Sequence, residues 1–116
     1  AAKNLAGGVR HMKWLEDYWE DEIEDPNERI KFVLGSYNVG QGHVKDAIRL
    51  AEKFGKDGNK WDDVGFYLIQ KSKSKFYNDP VVLYGYCRGT EPVNYVEDIF
   101  IRYEQYKMVL GAEESQ

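Results

Sequence analysis

Two short stretches hold the residues best placed to do chemistry. The first is SYNVGQGHV, residues 36–44. An apolar helical pattern stops at Tyr37 and Asn38, Gly40 and Gly42 follow, and a second helical pattern begins. Side chains at a helix end can point along the axis into a cleft. Asparagine offers two donors and an acceptor, and tyrosine offers a ring with a hydroxyl. The Gly-x-Gly permits a tight turn and leaves backbone amides open. Such a set suits a sugar ring bearing an acetamido group. It equally suits a plain helix–turn–helix corner with the asparagine in a left-handed cap. The second stretch is RGTEPVNYV, residues 88–96. Glu91 falls in the first turn of a helix and Tyr95 four residues later, so the two share a face. An acid at that position is also what the positive end of any helix dipole favours.

The remaining polar groups read differently. EDYWEDEIED, residues 16–25, carries seven acids but lacks the glycine turn of a calcium loop, so it reads as a solvated helix end and linker. KSKSK, residues 71–75, could attract an anionic strand and otherwise reads as a solvated loop. His11 and His43 lie far apart without ligand spacing and read as surface residues. Cys87 is the only cysteine, so neither an internal disulfide nor a thiolate zinc site can form. It sits in an aromatic cluster and is expected to be a buried, unpaired thiol. No metal and no cofactor is expected. The formal net charge of −4 argues against a general nucleic-acid binder and leaves neutral ligands, sugars included, open. No stretch approaches the ~20 apolar residues of a membrane span, and no signal peptide is read.

These groups must be positioned by a small fold. At 116 residues the chain is one small domain or part of one. Apolar residues make up 42 % and charged residues 31 %, as in folded proteins. Nine tyrosines and three tryptophans imply a ring-rich core or a ring-lined groove. Leu5, Val9, Met12, Leu15 and Trp19 follow the helical period and predict a helix over about 3–20. Gly7 and Gly8 inside it suggest close approach of another backbone. Asp25, Pro26 and Glu28 form a capping-box start. Ile30, Val33, Leu34 and Tyr37 continue a second helix that stops near Asn38. Val44, Ala47, Ile48, Ala51 and Phe54 mark a third, closed by Gly55. Trp61, Val64 and Leu68 mark a short fourth. Residues 70–90 read as a long ordered loop. Thr90 can cap a last helix whose face is Val93, Val96, Ile99, Phe100, Tyr103 and Leu110. GAEESQ reads as a polar tail, which divides the chain into residues 1–110 and 111–116. The fold class is all-α.

The two stretches together resemble a known family. SYNVGQGHV is similar to the Ala-Tyr-Asn-x-Gly-x-Gly motif of the lytic murein transglycosylases. GYCRGTEPVNYV is similar to their last motif, a Glu followed by Tyr-Val at the start of the final helix. AAKNLAGGVRHMKWL is similar to their Asn-x-x-Ala-Gly-x-x-Tyr-Leu-x-x-Leu helix. DPNERIKFVLGSYNVGQGHVKDAIRLAEKFGKD and YGYCRG resemble the membrane-bound F-type branch. The resemblance covers nearly all of residues 1–110, with the motifs in order. It implies a lysozyme-like helical domain, related to goose-type lysozyme. It implies cleavage of the N-acetylmuramic acid–N-acetylglucosamine bond of peptidoglycan with a 1,6-anhydro product. A bacterial envelope location and peptidoglycan strands as partner follow from it. So do substrate contacts at Tyr37, Asn38, Gly40, Gly42, Glu91 and Tyr95. Ser36, Met12 and Cys87 depart from the usual alanine, tyrosine and alanine. The family's catalytic Glu-Ser, followed by Gly-Leu-Met-Gln, precedes the Asn-x-x-Ala-Gly helix and is not among these residues. Glu114-Ser115 sits on the wrong side of the fold. The general acid is therefore expected upstream of Ala1. The chain reads as a domain truncated at its N-terminus, inactive alone, with apolar surface open to self-association. A non-catalytic glycan-binding or scaffold module is the alternative.

Overall fold

A computed structural model describes residues 2–114, with side chains described for 7–111. Leu5 as a core contact and the Glu114-Ser115 pair lie outside the described side chains. Six helices follow in order: α1 (Ala2–Glu20), α2 (Pro26–Val39), α3 (Gln41–Lys53), α4 (Trp61–Gln70), α5 (Ser74–Tyr77) and α6 (Thr90–Glu114). Among the described residues there is no strand. The all-helical architecture agrees with the lysozyme-like class.

The start of α2 shows how local chemistry sets an element. Asp25 is extended at φ −68° and ψ 116°, and its carboxylate accepts from the amides of Asn27 and Glu28. Pro26 supplies the first helical residue, where a missing N–H costs nothing. The reciprocal half of the capping box is not made. Glu28 instead accepts the Trp61 amide at 2.7 Å, at the first residue of α4, and pairs with Lys31 at 3.0 Å. One side chain thus joins the beginnings of two helices.

Helix α2 is central and packs against α1, α3, α4 and α6. Its buried residues are Phe32, Val33, Gly35 and Ser36, while Ile30 and Tyr37 are exposed. A helix with neighbours on most sides loses the clean apolar stripe from which a face is read. On α1, Leu15 and Trp19 are buried but Val9 is exposed, so among the described side chains the fully buried stripe lies in its second half. Val44, Leu50, Val64, Leu68 and Val96 complete the centre. Each such side chain contributes about 1.5–3 kcal/mol on burial.

Gly8 approaches a side chain rather than a backbone. A Cβ there would meet the Tyr37 hydroxyl at 2.9 Å, and nothing lies within 4 Å of one on Gly7. Residues 71–89 are mostly loop, interrupted by the four-residue α5. Thr90 opens α6 rather than capping it, with the Val93 amide donating to the Gly89 carbonyl. Residues 111–114 continue α6.

Candidate functional site

The α2–α3 corner answers why a helix should end on Tyr-Asn-x-Gly-x-Gly. Gly40 closes α2 and opens α3 at φ 96° and ψ 142°, and its amide donates to the Ser36 carbonyl at 2.7 Å. An L side chain is strained at that φ. Among the described residues no non-glycine adopts positive φ, so Asn38 is not a left-handed cap. Gly42 has a different task. A Cβ there would lie 2.8 Å from the Tyr84 ring, so hydrogen is what admits that ring. Tyr37 turns toward α1, its ring 5.6 Å from that of His11. Asn38 is exposed, and its side chain has no hydrogen-bond partner among the described residues. A donor–acceptor amide left unpartnered at a helix end is free to read a ligand amide.

Glu91 and Tyr95 sit in the first turns of α6, which packs across α2 and α4. Tyr95 is half-buried against the core. Glu91 is exposed and 3.7 Å from Arg88. No hydrogen bond or ring contact joins either residue to Tyr37 or Asn38 among the described residues. The corner residues are contiguous. The α6 pair reaches them only through the packing of α6 on α2.

Sequence reasoning missed the most polar part of the interior. Lys71 and Asp46 have fully buried side chains, paired at 2.7 Å. Lys71 is therefore not part of a solvated loop, and His43 is not a simple surface residue. The Lys71 ammonium lies 2.7 Å from His43 Nδ1. An ammonium can only donate, so Nδ1 accepts and the ring hydrogen is assigned to Nε2. Asp46 Oδ1 also accepts from Arg49 at 2.5 Å and from the Leu83 amide at 2.7 Å. Its Oδ2 accepts from the Tyr84 amide at 2.9 Å. Burial pushes the Asp46 carboxyl up, but the Leu83 amide, Lys71, the Tyr84 amide and Arg49 together hold it below its ordinary value. A single carboxylate on α3 thus fastens the loop ahead of α6. Only the pairing of a lone acid in an apolar helix face with a distant lysine could have signalled it. Cys87 is buried and unpaired, as expected, and burial raises its thiol pKa.

This cluster makes the chain acid-sensitive. Burial first, and the Lys71 charge second, lower the His43 pKa from its ordinary 6.5. Below that pH the unfolded chain takes up a proton that the folded chain resists, so stability is complete above 6.5 and falls as the pH drops. Asp46 adds a loss of the same sign below its ordinary 3.8. Thermal midpoints measured from pH 8 to pH 5 should decline, and His43→Gln should flatten the upper part of that decline. An unchanged slope in the variant would mean that another group causes it.

The chain is 41 % identical over 97 residues to the membrane-bound lytic murein transglycosylase F of Pseudomonas fluorescens, covering 84 % of this chain and 19 % of that protein. It is 39 % identical over 105 residues to the protein of the same name from Desulfosudis oleivorans, covering 90 % and 22 %. With that of Maricaulis maris it shares 38 % over 112 residues, covering 97 % and 23 %. Over most of its length the chain is thus similar to proteins named membrane-bound lytic murein transglycosylase F. It spans about a fifth of the length of the curated relatives it matches. No family model matches it.

The three departures noted above acquire structural meaning. Ser36 is buried, and its hydroxyl accepts the Trp19 indole N–H at 2.9 Å. Alanine at that position would leave the buried N–H without this partner. Met12 lies partly buried against the core, and Cys87 is buried within it.

Proposed function

We propose that these residues are part of the catalytic domain of a peptidoglycan lytic transglycosylase, a segment that runs at least to the end of α6 at Glu114 rather than stopping at residue 110. In the whole protein this domain cleaves the bond between N-acetylmuramic acid and N-acetylglucosamine and leaves a 1,6-anhydro sugar. A glutamate outside these 116 residues protonates the leaving oxygen. It then takes the proton of the substrate's 6-hydroxyl as that oxygen closes on the anomeric carbon. This chain contributes one side of the glycan groove: Tyr37, Asn38, Gly40 and Gly42 at the α2–α3 corner, with Glu91 and Tyr95 from α6. Asn38 pairs with the acetamido group. The envelope is the corresponding location, although among the described residues no helix is long and apolar enough to cross a membrane. Exposed Ile101, Tyr103, Tyr106 and Met108 on α6 are the surface through which the isolated chain would self-associate.

The observation that carries this reading is the match to proteins named lytic murein transglycosylase over nearly the whole chain. An unpartnered Asn38 at the end of α2 supports it. The alternative, a non-catalytic glycan-binding or scaffold module, is not favoured by these matches. Binding of the chain to insoluble peptidoglycan is the test. Asn38→Ala should weaken it about tenfold, the equivalent of about 1.4 kcal/mol, with no fall in thermal midpoint, because the side chain supports nothing else. Equal binding by the variant would remove Asn38 from the groove.

A further inference from the structure

We infer that Tyr84 is a preset stacking surface for a sugar ring next to the one read by Asn38, an inference that rests on the glycan-binding reading above. Tyr84 is unusual in being both exposed and fixed. Its side chain is 60 % exposed. Its backbone amide is bound to the buried Asp46 carboxylate at 2.9 Å, and the preceding Leu83 amide to the same carboxylate at 2.7 Å. Lys71 and Arg49 hold that carboxylate in turn. The loop carrying the ring therefore has no freedom to fold away.

The ring's orientation follows from its contact with Gly42. A Cβ on Gly42 would lie 2.8 Å from Tyr84 Cζ and 2.9 Å from each Cε. Three neighbouring ring atoms at nearly one distance mean that Gly42 meets a ring face, not an edge. One face is thus seated on the turn, and the exposure belongs to the other. Gly42 lies four residues after Asn38, so the ring is seated on the same corner that carries the unpartnered amide. The His43 ring, 6.3 Å away at 60°, flanks it.

The chemistry matches a β-1,4-linked N-acetylhexosamine. Its substituents are equatorial, so axial C–H bonds leave each ring face apolar and slightly positive. A tyrosine face is apolar and negative. A rigid aromatic anchor binds at little entropic cost because it is already ordered. Asn38 would read an acetamido group and Tyr84 would carry the adjoining ring of the same strand.

The test is titration of the chain with chitohexaose, a β-1,4-linked N-acetylglucosamine hexamer, followed by amide chemical shifts. Tyr84→Ala and Tyr84→Leu should each raise Kd about tenfold, and Tyr84→Phe should stay within about twofold of the unsubstituted chain. Gly42 and Gly85 amides should shift on binding. Retained affinity in Tyr84→Leu would overturn the inference, since shape without a π face would then suffice. If Asn38→Ala weakens binding while Tyr84→Ala does not, the stacking surface falls and the groove reading stands. If the unsubstituted chain does not bind, both fall together.

Discussion

Asp46→Ala is expected to destabilise the chain by about 3–5 kcal/mol, the usual loss when one partner of a buried ion pair is removed. The whole stability of a domain of this size is only about 5–15 kcal/mol. The substitution takes the counter-charge from the fully buried Lys71 ammonium, leaving it His43 Nδ1 as acceptor, and removes the acceptor of the Leu83 and Tyr84 amides at once. Asp46→Asn should do nearly as badly. Its amide nitrogen would point a donor at other donors, since every partner of Asp46 donates. Urea unfolding followed by circular dichroism gives the number. Asp46→Ala combined with Lys71→Met should recover part of the loss, because the stranded charge is gone. A loss below about 1 kcal/mol for Asp46→Ala would show that the carboxylate is not the fastening that its geometry describes.

The second large effect concerns turnover. Incubated with peptidoglycan, the 116 residues alone are expected to release 1,6-anhydromuropeptides at least 10²–10⁴-fold more slowly than an intact relative, the usual worth of a positioned general acid. A general acid at neutral pH needs a carboxyl whose pKa is raised. The carboxylates displaced here move the other way. Asp46 is held down by its donors, and Asp79 by Lys53 and the Val81 amide. Glu91 is solvated and beside Arg88. Products formed at a relative's rate would place the chemistry within these residues, and Glu91→Gln would then be the first variant to assay.

Much of the fold was legible because helices advertise themselves locally. The Asp25-Pro26 start of α2, the Gly55 end of α3 and the Trp61, Val64, Leu68 stripe of α4 all stand where the sequence places them. Gly40 and Gly42 were legible as a turn, but not their division of labour, since Gly42 answers to a ring 42 residues away. Lys71 was illegible for the same reason. KSKSK is a solvated pattern by composition, and the acid that draws its first lysine inside stands 25 residues earlier on another helix. The face of α2 was misjudged because a central helix has no single outside. At the site, the corner could be read from residue types. The fixed tyrosine beside it could not, because its rigidity comes from a carboxylate that no local motif contains.

The Glu28 side chain has a kinetic consequence. Its bond to the Trp61 amide closes a loop of 33 residues that holds most of α2 and the whole of α3. The α1–α2, α2–α3 and α3–α4 contacts form between neighbours in sequence, which is fast. The start of α4 is different. Its first amide gains its partner only after the Gly40 turn has swung α3 back along α2 and the chain has returned past residue 60. That closure costs chain entropy before any bond rewards it. The N-terminus of α4 is therefore expected to settle only after the turn at Gly40, 21 residues before Trp61, has formed.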